Sequence, residues 1–411
     1  MINVKNTSIN DFHYELPEDR IALRPLDQRD ASKLLVYNNE KIEESIFSDV
    51  TTFLPENALL VFNNSKVIHA RLRFPKKTGS LIEVFCLEPS GDITDYVRIM
   101  EQTETSQWKC MIGGVAKWKE PYLDVEANNQ GETVTLRATL ISKATDDNLI
   151  QFEWWPKEKT LAEILLIFGD VPLPPYIKRK TDVQDPERYQ TIYAKEEGSV
   201  AAPTAGLHFS DAVFERMKIK KIEKAFVSLH VGAGTFKPVK ADRMENHEMH
   251  SEWISVEKET IQKLIEQQGE IVAVGTTSLR TLESLYWLGV HVANNPSVNN
   301  PVIQQWDVYD SGMQNTTLTK VEALTHLLHW LNQKGKSKLF TQTQLLIAPG
   351  YLFRVADHLI TNFHQPKSTL LLLVAAAIGE DWKKCYDYAI NRDFRFLSYG
   401  DANLIKIKNK F

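Results

Sequence analysis

The sequence predicts a layered α/β domain that carries a small, inserted all-β module. Helix and strand patterns mix in residues 1–65 and 157–411, as in α/β folds. Residues 66–156 instead contain successive apolar or alternating runs, including 96–100, separated by turn residues and without a long helical period. Such runs are typical of a small barrel or sandwich. We therefore expect the β module to span 66–156.

The clearest α/β unit lies at residues 271–285. An Ile-Val-Ala-Val strand at 271–274 leads into the hydroxyl-rich turn 275–278 and a helical period. Free N–H groups at that helix start would favour an anion or polar ligand. Further helices are predicted over 161–168, where Thr160 is the expected N-cap, and over 317–334 and 369–378.

Composition limits the class of protein. The chain has 411 residues, with 48 Lys plus Arg against 53 Asp plus Glu and a net charge of −5. This balance argues against a protein coated in positive charge but leaves room for a local basic strip. The 3 widely separated Cys predict neither a disulfide framework nor a thiolate metal site. With no apolar leader and no apolar run long enough for a bilayer, we expect a cytoplasmic protein.

Several familiar catalytic motifs are missing. The sequence contains no P-loop pattern and no G-x-S-x-G elbow. Gly232 and Gly234 follow a predicted strand, but Lys237 stands where a dinucleotide fingerprint needs glycine. His247 and His250 are three residues apart without a clear third ligand. A metal-dependent hydrolase using these two histidines therefore remains a weak alternative.

Four loops rich in small residues are expected to form one site. They are residues 198–209, 230–236, 275–278 and 399–401. A chain with few bulky side chains usually brings its backbone close to a ligand. Histidines and carboxylates beside these loops suit proton transfer without a metal.

The same loops carry a family resemblance. The strings SVAAPTAGLHF (199–209), HVGAGTF (230–236), MHSE (249–252), VGTTS (274–278), RTLES (280–284), TNFH (361–364), PKST (366–369) and SYGDA (398–402) closely resemble the S-adenosylmethionine:tRNA ribosyltransferase-isomerases of queuosine biosynthesis. So do RDAS (29–32), PLPPYI (172–177) and ERYQT (187–191). The resemblance spans nearly the whole chain in order.

The resemblance implies a fold and a reaction. The fold would be an α/β/α-sandwich-like main domain, residues 1–65 plus 157–411, with an inserted antiparallel β-barrel at 66–156. The enzyme would move the ribosyl part of S-adenosylmethionine onto 7-aminomethyl-7-deazaguanine at the tRNA wobble position, giving epoxyqueuosine and releasing adenine and methionine. S-adenosylmethionine is then a co-substrate, no true cofactor or metal is expected, and the partner is the tRNA anticodon loop. We expect a monomer.

Residue chemistry suggests roles within this reaction. His208 or His364 is the expected base or acid, with Asp401 or Asp30 orienting it. The substrate-binding candidates are Arg29, Ser199, Thr204, His230, Gly232, Gly234, Thr276, Thr277, Arg280, Asn362, Lys367, Ser368 and Tyr399. The tRNA-binding candidates are Lys178, Arg179, Arg188, Lys218 and Lys221.

The chain departs from the family pattern in three places. Residues 287–340 form an insertion beyond the usual family length. Asn-Asn-Ser-Lys at 63–66 replaces the usual Asn-Asp-Thr-Arg, so Asn64 removes a carboxylate, and Ile-Gly-Gly-Val at 112–115 lies where Arg and Pro are expected. The alternative to the transferase is therefore a non-catalytic or substrate-divergent tRNA-binding paralogue.

Overall fold

A nine-stranded mixed sheet organises the larger part of the chain. The structure is a computed structural model that describes residues 4–76, 78–91, 96–143, 148–232, 241–309 and 311–411. The strands in these ranges are β1 (Lys33–Asn38), β2 (Lys41–Ile46), β3 (Leu59–Asn63), β4 (Ser65–Val67), β5 (Arg71–Pro75), β6 (Leu81–Pro89), β7 (Thr105–Gly113), β8 (Leu123–Asn129), β9 (Glu132–Ser142), β10 (Asn148–Trp155), β11 (Gly169–Asp170), β12 (Glu196–Ser199), β13 (Glu223–His230), β14 (Glu252–Glu257), β15 (Ile271–Val274), β16 (Lys338–Thr343), β17 (His358–Asn362) and β18 (Ala402–Lys406).

The helices follow the predicted periods closely. They are α1 (Val50–Phe53), α2 (Tyr96–Met100), α3 (Leu161–Phe168), α4 (Asp185–Arg188), α5 (Asp211–Ile219), α6 (Lys258–Glu266), α7 (Thr276–Asn294), α8 (Ser311–Gln314), α9 (Lys320–Gln333), α10 (Thr369–Ile378) and α11 (Asp381–Asn391). Thr160 caps α3 with a complete capping box, as predicted.

The main sheet combines parallel and antiparallel pairs. Its order is β16-β14-β13-β3-β15-β17-β18-β1-β2. Strands β13, β3, β15 and β17 run parallel to one another. Strands β14 and β18 run the opposite way beside β13 and β17. The ends of the parallel strands therefore meet the starts of β14 and β18 at one edge.

Alternating side chains cover the sheet on both faces. Leu35, Val61 and Ala273 belong to one buried cluster, which also takes in α6, α7, α9, α10 and α11. Leu34, Leu60 and Val272, each one residue away, belong to the opposite cluster with α1 and α5. This period of two, with helices on either side, confirms the predicted α/β class.

A second sheet holds most of residues 66–156. It has seven antiparallel strands in the order β11-β5-β6-β7-β10-β9-β8. Its side chains form a separate core that includes Phe74, Trp108 and Trp154. Residues 96–100 were predicted as one of the β runs, which is wrong, because they form α2. Strand β11 lies outside the predicted module, and the domain boundaries stay a prediction.

Residues 287–340 are integrated into the main fold. Helix α7 continues through Asn294, and α9 packs against α7 with Leu324, Leu327 and Leu331 buried. Strand β16 then extends the sheet edge beside β14.

Gly198 lies where the two sheets come together. It precedes the end of β12, which pairs with β4, and its φ is +133°. A Cβ at this position would lie 2.2 Å from a ring carbon of Tyr96 and 2.9 Å from Nδ1 of His230. These two rings stack with centroids 4.3 Å apart and join α2 to the end of β13. A side chain at position 198 is therefore excluded by both backbone conformation and space.

We predict that Gly198→Ala destabilises the fold by about 1–3 kcal/mol, since the new methyl group must displace the Tyr96–His230 stack. Denaturant unfolding monitored by circular dichroism measures the change. Gly232→Ala is the matched control, because a Cβ there meets no atom of the described residues within 4 Å. Equal stability of the two variants would contradict this account of the junction.

Candidate active site

The polar residues of the predicted loops meet at one edge of the main sheet. Asn63, His230 and Asn362 end the parallel strands β3, β13 and β17. Glu252 begins β14 and Asp401 precedes β18, both of which run the opposite way. Ligands of open α/β sheets bind outside the carboxyl ends of the strands, which is this edge.

A deep cleft opens above this edge. Its volume is about 620 Å³, within the range of small-molecule sites. Its lining comes from residues 175–176, 201–205, 246–252, 275–280, 361–373 and 397–398. Eight of the predicted residues line it: Thr204, Thr276, Thr277, Arg280, Asn362, His364, Lys367 and Ser368.

His208 lies behind the cleft wall and fixes its polar groups. Its Nδ1 is 2.8 Å from Oγ of Ser32, and its Nε2 is 3.1 Å from Nδ2 of Asn362. Thr204 donates to Oδ1 of Asn362 at 2.9 Å, so the amide nitrogen faces His208. Nε2 must then accept, and Nδ1–H donates to Ser32. Burial lowers the pKa of His208 to about 3, which keeps this imidazole neutral.

His364 reaches the cleft itself. Its Nε2 is 3.0 Å from Oγ1 of Thr361, and no described residue hydrogen-bonds its Nδ1. Tyr386 accepts from its backbone N–H at 3.1 Å, and Tyr14 donates to its carbonyl. Burial lowers the pKa of His364 to about 3. His364 is therefore a buried, neutral imidazole on the cleft lining, with its backbone held by two tyrosines and its ring bonded to Thr361.

The two predicted aspartates orient other groups than the histidines. Asp401 accepts from the backbone N–H of Lys33 at 3.1 Å and of Arg395 at 2.7 Å. Asp30 accepts from Ser210, the N-cap of α5, at 2.7 Å. The expected Asp–His pairs are therefore not formed, because the ring nitrogens of His208 already bond Ser32 and Asn362.

Arg280 and Glu252 form a largely buried ion pair on the cleft lining. Nη2 of Arg280 is 2.7 Å from Oε2 of Glu252, and the side chains are 13% and 5% exposed. Nε of Arg280 is buried without a described hydrogen-bond partner. Removing one member of such a buried ion pair strongly destabilises the fold, because the other charge is left buried without its partner. It offers a cation and an anion side by side to a zwitterionic ligand.

The N-termini of two helices lie at the cleft. Thr276 and Thr277 begin α7, and Asn63 holds Oγ1 of Thr277 at 3.2 Å. Ser368 caps α10 by accepting from Leu371 N–H at 3.2 Å. Lys367 adds a cation in front of that cap. Such ends favour carboxylate or phosphate groups.

Other predicted substrate-binding residues lie outside the cleft. Ser199 bonds Ala201 and Val231 within the loop, and His230 stacks on Tyr96. Gly232 does not line the cleft, and Gly234 falls outside the described residues. Asn64, the departure from the family pattern, accepts from Ser228 at 2.7 Å rather than facing the cleft.

A small basic crevice lies on the other side of His208. Arg29, Arg188 and Arg395 line it with Tyr399. Arg29 donates to the carbonyls of Glu187 and Leu207, so its charge is not neutralised by these contacts. Burial and the neighbouring Arg188 lower the pKa of Arg29. This concentration of guanidinium groups makes the crevice suitable for an anion.

The predicted tRNA-binding residues do not form one strip. Arg179 binds both carboxylate oxygens of Asp185 at 2.7 Å, and Lys178 is exposed beside the cleft residue Tyr176. Lys218 and Lys221 lie just before β13, whereas the cleft lies past the end of that strand. A strand of this length spans about 25 Å. Lys218 and Lys221 are therefore at the opposite edge of the sheet from the cleft.

Sequence reasoning missed residues whose importance depends on distant partners. Ser32 bonds His208 across 176 positions, and Asn63 supports Thr277 across 214. Glu252 was part of a recognised motif, and its buried pair with Arg280 gives it a place in the site. The segment around His247 and His250 lines the cleft as well.

Two features are missing from the described ranges of the chain. There, no three His, Cys, Asp or Glu side chains come together as a metal would require. No helix in those ranges has the length and apolar character to span a membrane.

Comparison with known proteins places this arrangement in a family. A family model described as queuosine biosynthesis protein matches residues 9–405. This chain belongs to that family. The S-adenosylmethionine:tRNA ribosyltransferase-isomerase of Thermotoga petrophila is 39% identical over 406 residues, covering 97% of this chain and 99% of the relative. The protein of the same name from Azoarcus sp. is 36% identical over 402 residues, covering 97% of each.

A solved structure was also found. The S-adenosylmethionine tRNA ribosyltransferase of Thermotoga maritima is 29% identical, covers 96% of this chain and 99% of its own, and has a TM-score of 0.45.

The buried histidines predict acid sensitivity. Their pKa values fall from 6.5 to about 3 on folding, so the unfolded chain takes up protons first as the pH drops below 6.5. Stability is therefore present at pH 7 and lost towards pH 3. We expect roughly 2 kcal/mol of lost unfolding free energy per histidine between pH 7 and pH 5.

Urea titrations at both pH values, on wild type and His208→Asn, measure this loss. The variant should show a smaller decrease, whereas the exposed control His326→Asn should match the wild type. An unchanged pH dependence in His208→Asn would mean that His208 is not held neutral.

Proposed function

We propose that the chain is an S-adenosylmethionine:tRNA ribosyltransferase-isomerase. It transfers and isomerises the ribosyl group of S-adenosylmethionine onto 7-aminomethyl-7-deazaguanine in the wobble position of tRNA, forming epoxyqueuosine and releasing adenine and methionine. The observation that carries the proposal is the similarity to enzymes of this name along nearly the full chain. A non-catalytic paralogue is not favoured, because the cleft keeps its histidine, hydroxyl and amide groups.

S-adenosylmethionine fits the polarity of the cleft. Its methionyl carboxylate would lie at the N-termini of α7 and α10, near Lys367 or Arg280. Its ammonium would lie near Glu252, which already pairs with Arg280. The small side chains of residues 201–205 leave room for the nucleoside. No true cofactor is required, since S-adenosylmethionine is consumed.

The reaction begins with loss of a proton from the ribose carbon next to the sulfonium, whose positive charge acidifies it. We assign the base to His364, because its side chain lines the cleft, whereas both ring nitrogens of His208 already bond Ser32 and Asn362 behind the cleft wall. The amine of the modified base then forms a carbon–nitrogen bond to the sugar and gives up a proton, while adenine leaves with the electron pair of its glycosidic bond and takes up a proton. Methionine leaves with the electron pair of its carbon–sulfur bond as the epoxide closes. His208 positions Asn362 and, through it, Thr204.

The tRNA would approach over the basic crevice. Arg29, Arg188 and Arg395 lie there beside Tyr399, and Lys178 is exposed nearby on the 172–180 segment. Arginines of this kind suit phosphate oxygens of an anticodon loop. Lys218 and Lys221 would contact the tRNA only at a distance from the reacting base.

The finer organisation is part of the same proposal. The antiparallel sheet would be the inserted barrel of residues 66–156, facing the tRNA beside the α/β/α-sandwich-like main domain. The protein would work in the cytoplasm as a monomer.

The direct test supplies S-adenosylmethionine and tRNA carrying the aminomethyl base, and measures adenine release. We expect release by the wild type and a loss of about 10²–10⁴-fold in kcat for His364→Gln, the range for removing a general base. Gel-shift binding of the same tRNA is measured in parallel. Intact tRNA binding without adenine release by the wild type would instead support the paralogue.

His326→Gln is the matched control and should keep wild-type turnover, since its side chain is exposed on α9. Near-normal turnover of His364→Gln would remove His364 from the base role.

A further inference from the structure

The segment 247–250, which follows the short 3-10 helix Met244–Asn246 and has no regular secondary structure, forms a wall of the cleft. Chain residues before it are fixed by backbone pairing with the N-terminal segment. Met244 N–H donates to Thr7 at 3.0 Å, and Ile9 N–H donates to Asp242 at 3.0 Å. Among the described strands, none pairs with the wall itself.

The side chain of Gln305 makes hydrogen bonds to the wall like those that a paired strand would make. Nε2 of Gln305 donates to the carbonyl of His247 at 2.7 Å, and Oε1 accepts from the N–H of Met249 at 2.9 Å. Gln305 is only 7% exposed. The nitrogen and the oxygen of the Gln305 side-chain amide thus each bond a backbone group of the wall, at residues 247 and 249. Hydrogen bonds to every second residue are also the pattern of strand pairing.

Gln305 is itself fixed to the sheet. The N–H of Gln344 donates to the carbonyl of Ile303 at 2.8 Å, and Ile303 forms a parallel bridge with Thr343, the last residue of β16. Nε2 of Gln344 reaches Met249 from the same side at 3.3 Å. The wall is therefore held by residues of, or immediately after, the segment 287–340.

The wall presents groups that suit a flat or cationic ligand. His247 is half-buried, Met249 is partly buried against the main core, and His250 is exposed. The soft thioether of a methionine and the flat face of an imidazole both pack well against planar rings. Loss of the Gln305 bonds would leave the backbone of 247–249 without these partners and free to leave the cleft.

We infer that Gln305 is a positioning residue for S-adenosylmethionine: it fixes 247–250 as a substrate-contacting wall and thereby ties the 287–340 segment to the site. The identity of the ligand rests on the proposed function. The two hydrogen bonds of Gln305 to the backbone of His247 and Met249 do not depend on that function.

The test compares Gln305→Leu with Gln304→Leu, an exposed neighbour on the same segment. Calorimetric titration with S-adenosylmethionine, without tRNA, should show a Kd about tenfold weaker for Gln305→Leu, the effect of losing one to two hydrogen bonds. In adenine release, KM for S-adenosylmethionine should rise by a similar factor while kcat stays within about threefold. Amide exchange at Met249 should accelerate in Gln305→Leu only.

Gln305→Met provides a second variant if Gln305→Leu unfolds. It keeps the length of the side chain and removes both hydrogen bonds, so its Kd should weaken to the same extent as that of Gln305→Leu. Unchanged Kd and unchanged Met249 exchange in a folded variant would overturn the inference alone. Wild type that binds S-adenosylmethionine but releases no adenine would overturn the proposed function alone, and wild type that does not bind it would overturn both.

Discussion

The site depends on the direction of the strands in the main sheet. Four parallel strands deliver their carboxyl ends to one edge, and the reversed strands β14 and β18 bring Glu252 and Asp401 to the same edge. Backbone N–H groups are free there because α7 and α10 begin at the cleft. Loops distant in sequence can therefore contribute to one cavity without any long excursion of the chain.

Behind this edge, a row of neutral hydrogen bonds fixes the reacting surface. Ser32, His208, Asn362 and Thr204 form it, and the direction of each bond follows from the next. A charged imidazole would be penalised by burial and could not accept from Asn362. The same burial that keeps His208 out of the cleft lining makes it effective in orienting Asn362 and Thr204, which do line the cleft.

Much of the fold could be predicted from local patterns. The strand at 271–274 and the capped helix after Thr160 depend on neighbouring residues, and both are confirmed. The apolar run 96–100 is ambiguous in the sequence, because five residues fit either a strand or one helical turn. In the structure this run forms α2, which packs on β12. Sequence proximity could not show that the tRNA-binding candidates Lys218 and Lys221 lie a strand length from the cleft, because β13 carries the chain across the sheet between Lys221 and His230.

The site was predictable in its loops but not in its contacts. Small residues and hydroxyls marked the loops 198–209 and 275–278 as parts of one site. Residues 201–205 and 275–277 of these loops line the cleft, as do eight of the named candidates. The partners of His208 could not be found because Ser32 and Asn362 lie 176 and 154 positions away. Gln305 belongs to none of the recognised motifs. Its role follows only from the hydrogen bonds between its side-chain amide and the backbone of residues 247 and 249.

A crystal structure with S-adenosylmethionine tests the central claim, that the edge cleft is the co-substrate site. The account predicts the methionyl carboxylate at the N-termini of α7 or α10, and the ribose carbon next to sulfur within reach of Nδ1 of His364. Binding elsewhere, or with the ribose turned away from His364, would contradict it.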